Sequence, residues 1–311
     1  MIKRKLISIV TPCFNEEDNI EELYARIVTV MAEQPYDYEH ICIDNCSTDG
    51  TVKKIKDLAA TDKQLKLIVN ARNFGHIRSP YYGILQSSGD ACVLIASDLQ
   101  DPPELIAEFI IKWEQGNKTV LAVKPASEES PIMFLLRKAY YRVLSRISEV
   151  PLIHNATGAG LFDRAVIDIL RTIQDPYPYF RGLLCEIGFS IATVPFKQPK
   201  RKRGITKNNF YTLYDLAVLG VTNHSKTPLR LITICGFLLS FLSLLAAFIF
   251  LVAKLMYWNS FQMGTAPMLI GIFFFGALQA FFVGVLGEYI ISIHTQVRKM
   301  PLVVELERVN F

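Results

Sequence analysis

The 311-residue sequence predicts an α/β domain with a mostly parallel sheet, followed by amphipathic helices and a two-helix transmembrane hairpin. Three observations carry this expectation. Short β-rich runs alternate with helical patterns between Leu6 and Val123, as in strand–helix–strand units whose helices cover a parallel sheet. Polar residues gather just after those strands, where such sheets bind ligands. Two long uncharged stretches follow Arg230.

Leu6–Val10 opens the domain as a strand, and Thr11-Pro-Cys-Phe-Asn15 breaks it. Through Glu16–Glu33, residues Ile20, Leu23, Ile27, Val30 and Met31 recur at helical spacing. His40–Asp44 is a second strand. Asp49 in the turn Ser47-Thr-Asp-Gly50 reads as the cap of a helix over Val52–Ala60, whereas Asp44 reads as a ligand-binding carboxylate. Leu65–Val69 is a third strand, Gly75–Ser88 a helix and Ala91–Ala96 a fourth strand. Asp101, before Pro102 and Pro103, reads as the N-cap of a helix over Glu104–Gln115, and Thr119–Val123 is a fifth strand. Ile132–Ile147 and Phe210–His224 are amphipathic, which predicts interfacial helices over about 131–148 and 208–225.

Leu231–Ala253 contains 23 residues without a charge, a helix of about 35 Å against a hydrocarbon core of about 30 Å. A second uncharged run ends at Glu288. These predict membrane spans over about 229–257 and 266–290 of a 229–292 segment. Lys226 and Arg230 precede the first span; Arg298 and Lys299 follow the second. The positive-inside rule then places residues 1–228 and a 293–311 tail in the cytoplasm. Lys3, Arg4 and Lys5 resemble a signal-peptide start, but Asn15, Glu16 and Glu17 break the apolar run too early.

Composition narrows the function. The chain is 51% hydrophobic, which excludes disorder, and its net charge of +4 gives no reason to expect nucleic acid. Six cysteines agree with a reducing compartment; Cys42 and Cys46, spaced CxxxC, read as free thiols rather than as a zinc site. No GxGxxG follows the first strand and no GxxxxGK[ST] occurs, so dinucleotide and P-loop folds lose support. In Ala96-Ser-Asp98-Leu-Gln100-Asp101-Pro-Pro, Asp98 and Gln100 offer oxygens suited to Mg²⁺ or Mn²⁺. Phe196–Lys207 carries six basic residues and no acid, either a phosphate clamp around Arg203 and Lys207 or a strip for anionic lipid.

In order along the chain, Ile9-Val-Thr-Pro-Cys-Phe-Asn-Glu-Glu17, Ile43-Asp-Asn-Cys-Ser-Thr-Asp-Gly50, Arg72-Asn-Phe-Gly75, Ser97-Asp-Leu-Gln-Asp-Pro-Pro-Glu104 and Arg203-Gly-Ile-Thr-Lys207, with the two-span tail, resemble the family 2 inverting glycosyltransferases of GT-A fold. Within that family the chain is similar to the polyprenyl-phosphate glycosyltransferases, which include dolichyl-phosphate mannose synthases and bactoprenol glucosyltransferases.

The resemblance implies a nucleotide pocket of Pro12, Phe14, Glu16, Asp44 and Asn73. It implies a metal at Asp98 and Gln100, phosphate contacts from Arg181, Arg203 and Lys207, and a carboxylate near the reacting sugar at Asp163. It further implies hexose transfer from a nucleotide-sugar donor, with a UDP-sugar favoured, to polyprenyl phosphate for cell-envelope glycans. The setting would be the bilayer of a bacterial inner membrane and the assembly a homotetramer. A lipid-linked sugar acceptor and a catalytically weakened nucleotide-binding membrane partner are the alternatives. Two departures stand out: Ala96 replaces the first acid of the usual Asp-x-Asp pair, and Asn45-Cys46 replaces an Asp-Gly.

Overall fold

A computed structural model describes residues 4–124, 153, 156–197, 227–256 and 265–311. The elements are β1 (Leu6–Cys13), α1 (Ile20–Ala32), β2 (Asp37–Asp44), α2 (Thr51–Thr61), β3 (Leu65–Asn70), α3 (Gly75–Gln86), β4 (Ala91–Leu94), α4 (Leu105–Glu114) and β5 (Thr119–Val123). They continue with β6 (Ala156–Asp163), α5 (Arg164–Thr172), α6 (Phe180–Ile187), β7 (Ile191–Pro195), α7 (Thr227–Met256), α8 (Thr265–Val297) and β8 (Glu305–Val309).

The eight strands form one sheet in the order β7-β5-β6-β4-β1-β2-β3-β8. β1 runs parallel to β2 and β4, β2 to β3, and β5 to β7. β6 is antiparallel to β4 and β5, and β8 to β3. The mostly parallel expectation therefore holds. Residues 293–311, expected as a tail, instead end in the eighth strand.

Burial on both faces explains why these strands read as continuous apolar runs. Ile7 and Ile9 pack with Ile20, Leu23, Ile27, Ile55 and Phe109 in one cluster. Val10, Ile41 and Ile43 pack with Tyr81, Ile84, Val166 and Leu170 in another. Cys13, Cys42 and Cys92 are buried free thiols, while Cys46 is half-buried.

α7 and α8 carry most of the exposed large apolar side chains, Phe237, Phe241, Phe274 and Phe281 among them. Among the described residues one helical stretch, Phe274–Val297, is long and apolar enough to cross a membrane. It continues past Glu288, where the uncharged run of the sequence ends. The expected interfacial helices over 131–148 and 208–225 lie outside the described residues, as do Arg203 and Lys207.

Candidate active site at the carboxyl edge of the sheet

Parallel pairing brings the carboxyl ends of β1, β2, β3 and β4 to one edge, with Cys13 beside Asp44, Asp44 beside Val69 and Val10 beside Leu94. Three non-glycine residues in the loops beyond these ends have left-handed backbones: Asn15 (φ 56°), Cys46 (φ 65°) and Leu99 (φ 58°). That conformation is disfavoured for L-residues and recurs at functional sites.

The turns after β1 and β2 are laced together. Asn15 N–H donates to Ser47 Oγ at 2.9 Å, Thr48 N–H to Asn15 Oδ1 at 2.8 Å, and Glu16 N–H to Thr51 Oγ1 at 2.9 Å. Asp49 accepts from Thr51 N–H at 3.0 Å and caps α2 from one residue before the Gly50 N-cap. Asp44 departs from the sequence expectation. It is fully buried and accepts from both the N–H (2.9 Å) and the Oγ of Ser47. Its burial raises its pKa despite those bonds. Asp44 thus shapes the Asn45–Ser47 turn from a buried position.

Asn45 fastens the turn after β3. Its Nδ2 donates to Asn73 Oδ1 at 2.8 Å and to the Gly75 carbonyl at 3.2 Å, and its Oδ1 accepts from Phe74 N–H at 2.8 Å and Asn70 Nδ2 at 3.2 Å. An aspartate would lack the two donated bonds, so this departure from the family pattern has a local reason. Asn73 is exposed on the rim, and Phe14 and Glu16 are described there too, Glu16 half-buried.

After β4, the left-handed turn at Leu99 buries the Leu99 side chain and leaves Asp98 and Gln100 half-exposed on either side of it. Asp98 Oδ1 accepts from Gln100 N–H at 3.1 Å. Asp101 is not a cap. α4 begins at Leu105, with Glu104 at the N-cap position. Pro102 and Pro103 have no N–H to offer Asp101. The Asp101 side chain instead turns into the wall of a cavity of about 270 Å³ shared with Pro12, Ala96, His76, Thr157 and Arg181. Asp101 is 6% exposed and its Oδ1 has no hydrogen-bond partner. Burial, reinforced by the charge of Asp98, pushes its pKa up to about 6.

Arg181 is held into the same cavity by an Nη2 bond to the Thr157 carbonyl at 3.0 Å. Pro80, inside α3, leaves the His76 carbonyl without its usual helical donor. The sequence alone assigns no site role to His76 and only a capping role to Asp101. Their visible signal is position, just after strands β3 and β4.

Asp163 is not brought to this site. It ends β6 opposite Ala91, the first residue of β4, and so lies at the amino edge of the sheet. There it accepts from Trp113 Nε1 at 2.7 Å, Lys118 Nζ at 3.1 Å and Ala165 N–H at 3.0 Å as the N-cap of α5. The antiparallel course of β6 is the reason: its small residues, not its final acid, reach the carboxyl edge.

A sheet of this topology, with an acidic turn after β4 and polar loops gathered along its carboxyl edge, is the frame of a sugar-transferring enzyme. The chain belongs to glycosyl transferase family 2, whose pattern matches residues 8–168. It is 34% identical over 297 residues to an uncharacterized glycosyltransferase of Synechocystis, covering 95% of this chain and 93% of that one. It is 33% identical over 298 residues to a prophage-derived bactoprenol glucosyl transferase of Shigella flexneri, covering 95% and 96%. Among solved structures it is similar to glucosyl-3-phosphoglycerate synthase from Mycobacterium tuberculosis in complex with Mn²⁺, UDP and phosphoglyceric acid, with a TM-score of 0.48, 19% identity and coverage of 70% and 76%.

Proposed function

We propose that this chain is a membrane-anchored inverting glycosyltransferase that moves a hexose from a nucleotide-diphosphate sugar, a UDP-sugar by resemblance, to polyprenyl phosphate. The observation that carries the reading is the Asp98–Gln100 turn beside the Arg181 cavity, in a chain whose match to a bactoprenol glucosyl transferase runs almost end to end.

The residues fit a hard divalent cation. Asp98 and Gln100 offer oxygen, and among the described residues no group of three or more His, Cys, Asp or Glu side chains surrounds a metal position. Mg²⁺ commonly takes one or two protein oxygens and completes its shell with water and substrate phosphates. Bound at Asp98 and Gln100, Mg²⁺ or Mn²⁺ would offset the charge developing on the leaving diphosphate. Pro12, Phe14, Glu16 and Asn73 border the nucleotide, with Asp44 bracing their turns from behind. Arg181 faces the phosphates from the cavity wall, joined by Arg203 and Lys207.

The lipid phosphate attacks the anomeric carbon on the face opposite the diphosphate and inverts that centre. A phosphate monoester with a second pKa near 6 is mostly ionised at neutral pH, so no strong base is required. This removes the need for Asp163 at the reacting sugar. The apolar helices α7 and α8 form a hairpin in the bacterial inner membrane, with the sheet domain and both termini in the cytoplasm and the chains assembled as tetramers.

Purified full-length protein, incubated with undecaprenyl phosphate and a panel of nucleotide sugars, should yield one polyprenyl-phosphate hexose by mass spectrometry, and EDTA should stop its formation. Transfer only to a lipid-linked sugar would replace the acceptor. Nucleotide binding without transfer would favour a weakened partner, the reading that Ala96 supports.

A further inference from the structure

A pair of cations stands at the end of β3, flanking the start of α3. The Arg72 guanidinium lies 4.1 Å and the Arg78 guanidinium 5.2 Å from the centroid of one ring, Phe74. Phe74 is buried and its N–H is tied to Asn45, so the platform is fixed. Among the described residues, neither guanidinium has a carboxylate within ion-pair distance. Arg72 donates to the Asn73 carbonyl at 3.2 Å and Arg78 to the Pro301 carbonyl, while Arg78 Nε is buried without a partner. Burial, and then the charge of Arg72, lowers the pKa of Arg78. Two like charges gathered on one ring, with donors to spare, are matched by an oxyanion; guanidinium forks fit phosphate geometry.

Chain connectivity indicates where that anion comes from. Pro301 is four residues beyond Val297, the end of α8, a span of at most about 14 Å. Arg298 and Lys299 lie within that short connection. The apolar stretch Phe274–Val297 ends at the same point. The cation pair is therefore tethered to the end of a largely apolar helix, on the side where charge resumes from Glu288 onward and where lipid phosphates would lie. His76, Ile77 and Pro80 of the same helix as Arg78 line the cavity.

We propose that Arg72 and Arg78, stacked on Phe74, bind a phosphate monoester carried by a membrane lipid and present it beside the cavity. This rests on the proposed function, whose acceptor is such a lipid. Two guanidinium charges match a monoester near −2 better than a phosphodiester headgroup of −1.

The test uses the full chain in phosphatidylcholine nanodiscs, with farnesyl phosphate as probe and farnesol, inorganic phosphate and phosphatidylglycerol as comparisons. Wild type should bind farnesyl phosphate at least tenfold tighter than any of the three. Arg72→Gln, an exposed side chain, should weaken that binding tenfold or more with unchanged thermal unfolding. Arg78→Lys should weaken it less than Arg78→Gln. In turnover, Arg72→Gln should raise KM for the lipid phosphate and leave the donor KM in place. Equal farnesyl phosphate affinity in Arg72→Gln and wild type overturns the site. Equal affinity for inorganic phosphate or phosphatidylglycerol overturns the lipid monoester as its ligand. Arginine-dependent binding of farnesyl phosphate without sugar transfer upholds the site and overturns the proposed function instead.

Discussion

The two edges of the sheet are built on opposite principles. At the amino edge two buried carboxylates are fully met. Glu39 accepts from Ser8 Oγ at 2.5 Å, Ser88 N–H at 2.7 Å and Lys66 Nζ at 2.7 Å, and Asp163 accepts from Trp113, Lys118 and Ala165. At the carboxyl edge three residues sit in the left-handed region and Asp101 Oδ1 is left without a partner. Unmet hydrogen-bonding capacity and local strain cost stability. Most of them gather at the carboxyl edge, although Asn310 (φ 62°) and the unpartnered His40 Nδ1 lie nearer the amino one.

Four substitutions would break or sharpen that contrast. The largest effect is expected of Asp98→Ala, which should reduce transfer by about 10³-fold with an unfolding midpoint unchanged within error; full activity would remove Asp98 from the site. Glu39→Ala at the other edge should cost about 3 kcal/mol by leaving Lys66 facing an empty buried position, read by denaturant unfolding of the full chain in detergent. Asp163→Asn should cost about 1 kcal/mol by removing the negative charge to which Lys118 Nζ and Trp113 Nε1 donate, and should leave transfer intact; a large loss of activity at wild-type stability would return Asp163 to the catalytic machinery. Cys46→Gly should stabilise by about 1 kcal/mol, because glycine adopts the left-handed backbone without the Cβ penalty; an unchanged midpoint would show that the turn is relaxed.

The amino edge also has a pH signature. Burial opposes the ionisation of Glu39, but its bonds from Lys66, Ser8 and Ser88 outweigh that and lower its pKa. Burial likewise opposes ionisation of Asp163, and Trp113, Ala165 and Lys118 outweigh it. Both folded values lie below the unfolded ones of about 4. Their contributions are therefore present above about pH 4 and are lost as pH falls through the folded values. The Glu39→Ala and Asp163→Asn differences from wild type should shrink over that acid range.

The first five strands and four helices are legible in the sequence because apolar periodicity and strand-end polar residues agree there. β1 through β5 occupy the runs expected of them, with β1 extending through Pro12 to Cys13. β6 is hidden because Ala156-Thr-Gly-Ala-Gly is a run of small residues. Gly160 is needed there, since a Cβ would run into the Val120 carbonyl of β5. β8 is hidden because Glu305-Leu-Glu-Arg-Val is charged, as an edge strand can be. The acidic turn around Asp98 is legible from its place after a strand. The departures at Asp44, Asp101 and Asp163 share a cause. A carboxylate in sequence does not say which way it turns, and that is decided by Ser47, by two prolines and by an antiparallel strand.

β8 changes what the long helices are. The chain leaves the sheet after β7, runs through α7 and α8, and rejoins the same sheet beside β3, where Lys56 pairs with Glu307 at 2.6 Å and Asn310 bonds to the carbonyls of Ala59 and Leu65 at 2.8 Å each. The apolar segment is thus an insertion within one folding unit, not a pendant on a single leash. Anchoring at both ends narrows the orientations that the sheet domain and the helices can sample relative to each other. Four strand spacings, about 19 Å, separate β8 from β4, so a lesion that frays the last strand would act on that restriction without touching Asp98.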